Sequence, residues 1–158
     1  MNSAEIKNKV LHYLRFKRKY SLIATEAGRK KKNNADILAS NFEEIVEVEV
    51  KTSRADLRND FQKMKHTRYA STRTHFTPNK FYFAVPKKLV EYAIELTKDM
   101  GYGVLEVSEK PLTGFTKHSF VTVKKKAKTL KERYCKKLEH EMLMRLSSEM
   151  IRLRIKYL

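Results

Sequence analysis

The sequence predicts an α/β domain with one mixed sheet flanked by helices, and three observations carry that prediction. Short strand-like runs recur at 20–28, 35–40, 44–51, 80–85, 102–107 and 119–123, rich in β-branched or aromatic residues. Helical patterns at 3–17, 53–69 and 86–99 alternate with them, which is the order of a layered α/β fold. The chain has 158 residues, 41% of them apolar, enough for one core and one compact domain. Residues 1–123 read as that core, and 124–158 as a basic amphipathic C-terminal helix packed on the same domain.

In chain order, 3–17 carries Ile6, Val10, Tyr13 and Leu14 at helical spacing behind an N-cap at Ser3. "YSLIATEAG" (20–28) reads as a strand that Gly28 ends, and "RKKKNN" (29–34) as a basic loop tip. "ADILAS" (35–40) and "EIVEVEVK" (44–51) follow through short loops, so the three strands form an antiparallel meander. Ser53 and Asp56 give a capping signal for a helix to about Tyr69 that buries Leu57, Phe61 and Met64. "KFYFAV" (80–85) is a buried strand, Pro86 starts a helix through Asp99, Gly101 stops it, and "YGVLEV" (102–107) returns as a strand. Strand, helix, strand implies a parallel crossover. "SFVTV" (119–123) is the last strand. Beyond it, Leu130, Tyr134, Leu138, Met142 and Leu146 recur every fourth residue.

Lys and Arg total 35 against 18 acids, a formal charge of +17. Such a field selects a polyanionic partner, with nucleic acid ahead of an anionic membrane or a ribonucleoprotein assembly. The lone Cys135 excludes an internal disulfide and a cysteine zinc cluster. The N-terminus has no apolar signal core, and no run reaches the roughly 20 apolar residues of a membrane span, so the expectation is a soluble, cytoplasmic protein. The five histidines lack zinc spacing, and four glycines form no phosphate loop. Tyr69 and Phe76 read as packing residues rather than base-stacking ones.

The acids are not spread evenly. Seven of the 18 fall in 36–60: Asp36, Glu43, Glu44, Glu47, Glu49, Asp56 and Asp60. On a strand, Glu47, Glu49 and Lys51 share one side, and Val46, Val48 and Val50 the other. The ordinary reading is a half-exposed strand with a charged outer face. Asp36 argues for more, because a carboxylate within apolar "A-ILA" is costly unless paired or ligated. Neighbouring carboxylates favour a cation between them, and a hard divalent ion takes such oxygen ligands. Basic flanks, Lys30, Lys31 and Lys32 before and Arg54, Arg58, Lys63, Lys65 and Arg68 after, would suit a phosphodiester backbone.

Asp36, twelve intervening residues and then Glu49-Val50-Lys51 resembles the motif of the PD-(D/E)XK nuclease superfamily. The order helix, three strands, helix, strand resembles its restriction-endonuclease-like core. "ADILAS…EIVEVEVKTSRADLRNDFQK…KFYFAVP" is similar to the MmcB-type DNA-repair proteins, over roughly residues 3–107. The resemblance implies that Asp36, Glu49 and the backbone carbonyl of Val50 bind Mg²⁺ or Mn²⁺. It implies that Lys51 orients or activates water and steadies charge at phosphorus. It marks Glu5 as an extra acid on the first helix, and Gln62 and Lys63 as residues reaching back to the site. Ala35 stands where the motif has proline, and Glu47, outside the minimal motif, is taken as a surface charge. The expected activity is a metal-dependent deoxyribonuclease in DNA repair, recombination or processing. The alternative is a non-catalytic DNA- or RNA-binding module. Homodimerisation stays open, as no interface signature is visible.

Overall fold

In a computed structural model of the chain, described for residues 1–27, 34–71, 76–112 and 119–157, six strands form one sheet in sequential order. The strands are β1 (Leu22–Ala27), β2 (Ala35–Ser40), β3 (Ile45–Val50), β4 (Lys80–Pro86), β5 (Gly103–Leu112) and β6 (Ser119–Lys125). β1–β2–β3 is an antiparallel meander; β4 joins β3 and β5 joins β4 in parallel, and β6 closes antiparallel. The mixed sheet expected from the sequence is therefore present, with the crossover between β4 and β5.

Helix α1 (Ser3–His12) covers one face, setting Ile6 and Val10 on Ile37, Val46, Val48 and Leu105. Its cap is Asn2 rather than Ser3: the Asn2 side chain accepts from the Glu5 amide while the Glu5 carboxylate accepts from the Asn2 amide. This reciprocal box satisfies two helix-end donors and outcompetes the shorter serine. The helix then widens into a π turn, Tyr13–Lys17, that buries Leu14.

The opposite face carries α2 (Arg54–Asp60), α3 (Met64–Tyr69), α4 (Val90–Leu96) and α5 (Lys136–Lys156). Two apolar clusters lie there. Leu22, Leu38 and Ile45 meet Leu138 and Met142 of α5; Phe81, Phe83 and Val104 meet Leu57 of α2 and Val90 and Ala93 of α4. β5 passes tightly beside β4, since a Cβ on Gly103 would lie 2.2 Å from the Tyr82 ring.

Two expected helices differ. The one over 53–69 is broken, because Lys63 adopts extended backbone between α2 and α3. That break resets the helical phase, so Met64 points outward at 69% exposure while Lys65 turns in. The C-terminal helix begins only at Lys136, after a segment that crosses from β6 back to the β1 side. Asn79 holds that crossing. Its side chain accepts from the Ile45 amide (2.7 Å) and donates to the Lys131 carbonyl (2.8 Å), while its own carbonyl accepts from the Leu130 amide (2.8 Å). Hydrogen bonds made sideways to Asn79, Tyr82 and Gly101 replace those a helix would make within itself. No helix among the described residues is long and apolar enough to cross a membrane.

Candidate active site

Strand β3 is buried along its whole length, glutamates included. Val46, Val48 and Val50 face α1, and Glu47 and Glu49 point into the seam between the two clusters of the other face, beneath α2 and α3. The expected solvent-facing strand is thus corrected: Glu47 is 3% exposed and Glu49 2%, because the broken helix pair lies over them.

The β2–β3 register pairs Ile37 with Val48, so the next pair toward the strand ends sets Asp36 opposite Glu49. Asp36 is the less buried of the two, and its Oδ2 accepts from the Val50 amide at 2.8 Å. Its Oδ1 lies 3.3 Å from the Lys7 ammonium, which also pairs with Glu26. Burial, and then the charge of Glu49, hold the Asp36 carboxyl above its ordinary value, despite the Val50 bond and the two lysines nearby.

Glu49 is surrounded by ammonium groups. Its Oε1 pairs with Lys65; its Oε2 lies 3.2 Å from Lys51 and 3.4 Å from Lys63. Burial alone would raise its pKa, but Lys65, Lys51 and Lys63 together pull it below the ordinary value. Lys65 also reaches Glu47 at 2.8 Å, and the Tyr69 hydroxyl donates to the other oxygen of Glu47. Burial disfavours the charged form of Lys65, yet Glu47, Glu49 and Asp60 outweigh it and raise the pKa.

Lys51 lies 2.7 Å from Asp60, 3.2 Å from Glu49 and 3.8 Å from Asp56. Burial lowers its pKa, but Glu49 and Asp60 more than compensate, so the amine stays protonated. It serves as a fixed charge and hydrogen-bond donor, and its raised pKa makes it a poor base. Asp60 is held in turn: its Oδ2 lies 2.7 Å from His66 Nε2, and His66 Nδ1 meets the Tyr102 hydroxyl at 2.8 Å. Burial opposes ionisation of Asp60, but His66, Lys65 and Lys51 draw its pKa well below the ordinary value.

The sequence-predicted residues sort into three groups. Glu49, Lys51 and Lys63 meet in one network, while Asp36 bonds the Val50 amide and the Lys7 ammonium of α1 and feels Glu49 and Lys51 only through their charge. Glu5 does not join them: it is exposed and its carboxylate closes the helix cap, so the α1 side chain that reaches Asp36 is Lys7. Arg54 and Arg58 lie exposed on α2, with Arg54 over the Tyr92 ring (4.9 Å), and Arg68 is on α3. Lys30, Lys31 and Lys32 lie outside the described residues. In sequence Lys65 reads only as a basic flank and Asp60 only as one of the clustered acids, and neither their buried pairing nor the part of His66 was foreseen. Their signal was the count of acids in 36–60, which needed buried cations nearby to balance it.

As a metal site, the donors have the right chemistry for a hard cation: two carboxylates from adjacent strands, Asp36 and Glu49. No cluster of three His, Cys, Asp or Glu side chains suited to a metal forms among the described residues. A cation at Asp36 and Glu49 would need its other ligands from water or phosphate, and would compete with the ammonium groups of Lys51, Lys63 and Lys65 for Glu49.

No protein-family model matches the chain, and no curated protein is similar to it. Among solved structures it is similar to the SPO1766 protein of unknown function from Silicibacter pomeroyi. The identity is 11% and the TM-score 0.62, over 96% of this chain and 88% of that one. At that identity the likeness shows the fold, a six-stranded mixed sheet flanked by helices, and nothing of its chemistry.

Proposed function

We propose that the chain is a metal-dependent deoxyribonuclease of the PD-(D/E)XK type, on a restriction-endonuclease-like core. One observation carries the reading: continuing the β2–β3 register past Ile37–Val48 brings Asp36 beside Glu49, close enough for the Glu49 charge to raise its pKa, with Lys51 two residues beyond Glu49 and 3.2 Å from it. The raised pKa of Asp36 supports it, since a cation beside the pair would offset both the burial and the mutual repulsion that cause the shift. The net charge of +17 supplies the attraction for a polyanion.

Asp36, Glu49 and the Val50 carbonyl would hold Mg²⁺ or Mn²⁺, which supplies a more acidic water and a Lewis acid for the phosphoryl oxygens. Lys51, fixed by Asp60 and kept protonated, presents preorganised positive charge where negative charge grows at phosphorus. Lys63, a third exposed, extends that charge toward solvent and an incoming backbone. Arg54 and Arg58 on the outer side of α2 would contact phosphates without reading sequence.

A second reading has its own observation. Glu49 already pairs with three lysines, an arrangement complete without a metal, as in a DNA- or RNA-binding module that does no chemistry. One gel separates the two. Labelled single-stranded, duplex, flap and four-way DNA is incubated with Mg²⁺, Mn²⁺ or chelator, using wild type, Asp36→Asn, Glu49→Gln and Lys51→Ala. The nuclease reading expects cutting that needs metal and is abolished in each variant while DNA is still retained. Asp36→Asn is the cleanest control, because Asp36 is the least buried member. Retention without cutting, with affinity falling by a slope of about −0.9 per neutralised phosphate, establishes the binding module instead.

A further inference from the structure

The apolar stripe of α5 continues past the sheet that covers its first half. Leu138 and Met142 are buried against β1 and β2, and Leu146 is half covered there. At 3.6 residues per turn, Met150, Leu153 and Tyr157 extend the same face. Beyond Met142 no described residue of α5 is buried: Met150 is 58% exposed, Leu153 53% and Tyr157 84%. These residues, with Leu146, Glu149 and Arg154, form one open apolar face of the helix.

We propose that this face is a self-association surface, covered by the same half-helix of a second copy of this chain running antiparallel. The first half of the stripe lies on its own sheet, so only the second half can receive a partner. The antiparallel arrangement puts the second copy's body beyond the far end of the helix, clear of the first. A two-fold axis between Ile151 and Arg152 would set Met150 against Leu153 of the second copy and Leu146 against its Tyr157. The flank then matches in charge, with Glu149 beside Lys156 of the second copy, twice by symmetry. An isologous contact of this kind needs complementary groups within one surface, and Glu149 and Lys156 supply them. It stands apart from the nuclease reading, as it involves no residue of that site.

The test is sedimentation velocity of the full chain across a concentration series. A concentration-dependent shift from 18.7 kDa to twice that mass is expected. Met150→Glu, exposed in the isolated chain, should leave the circular-dichroism melt unchanged and weaken self-association about a hundredfold. Glu149→Lys and Lys156→Glu should each weaken it about tenfold, and the double variant should restore it. Three results would overturn the proposal: a monomer at every concentration, a dimer indifferent to Met150→Glu, or no restoration in the charge-swapped pair. Binding of anionic vesicles by a monomer, lost in Met150→Glu, would assign the face to a lipid surface instead.

Discussion

The two sides of β3 are equally buried and held by different physics. On the α1 side, Val46, Val48 and Val50 pack among aliphatic neighbours, where stability comes from area removed from water. On the α2–α3 side, Glu47 and Glu49 lie in a charged network with Lys51, Lys63 and Lys65, as inaccessible as the valines. The apolar side tolerates a lost methyl group as a small cavity. The charged side is stable only while its members stay paired, since removing one leaves an uncompensated charge out of water.

The sharpest way to break the comparison is Lys65→Met. It leaves Glu47 and Glu49 without their shared partner, and a loss of roughly 3–5 kcal/mol in urea unfolding is expected. Replacing Glu47 and Glu49 by Leu in the same chain should recover most of that loss, because the methionine would then meet apolar neighbours. If Lys65→Met alone costs under about 1 kcal/mol, the network is not the structural element described. On the other side, Val48→Ala should cost about 2 kcal/mol, with the urea slope unchanged.

A smaller effect follows from pH. Glu49 and Asp60 are held below their ordinary values of 4.5 and 3.8, so their stabilisation is present above those values and fades as pH falls toward the folded ones. Asp36, held above 3.8, has the opposite sign: its contribution is present below 3.8 and fades as pH rises through its folded value. Glu44, held below 4.5 against partial burial by its bonds from Lys80 and Tyr20, acts with Glu49 and Asp60, so three groups against one make the chain less stable below pH 4.5, read as a falling urea midpoint. Asp60→Asn should flatten that acid limb, and Asp36→Asn should steepen it slightly.

The sheet was legible in the sequence because its signals are local: short loops force the meander, and a helix between two strands forces a crossover. The charged side was not. Alternating Val and Glu is the pattern of a half-exposed strand, and a glutamate reads as buried only once its partner is known. That partner, Lys65, is 16 residues beyond Glu49 and turns inward only because the helix breaks at Lys63. Glu47 and Glu49 could be read onto one side of β3 because period-two alternation is a strand property. Lys7 was missed because its contact with Asp36 depends on where α1 crosses the sheet.

Asn79 has a consequence in time. It sits mid-chain, yet its side chain reaches a carbonyl 52 positions further on, which a ribosome delivers much later. Until then Leu22, Leu38 and Ile45 lack the helix that covers them. A segment far along the chain, Lys131 to Met142, is the one that covers this end of the sheet. Arrested nascent chains ending before Cys135 should therefore be cut readily by protease, and full-length chains should resist.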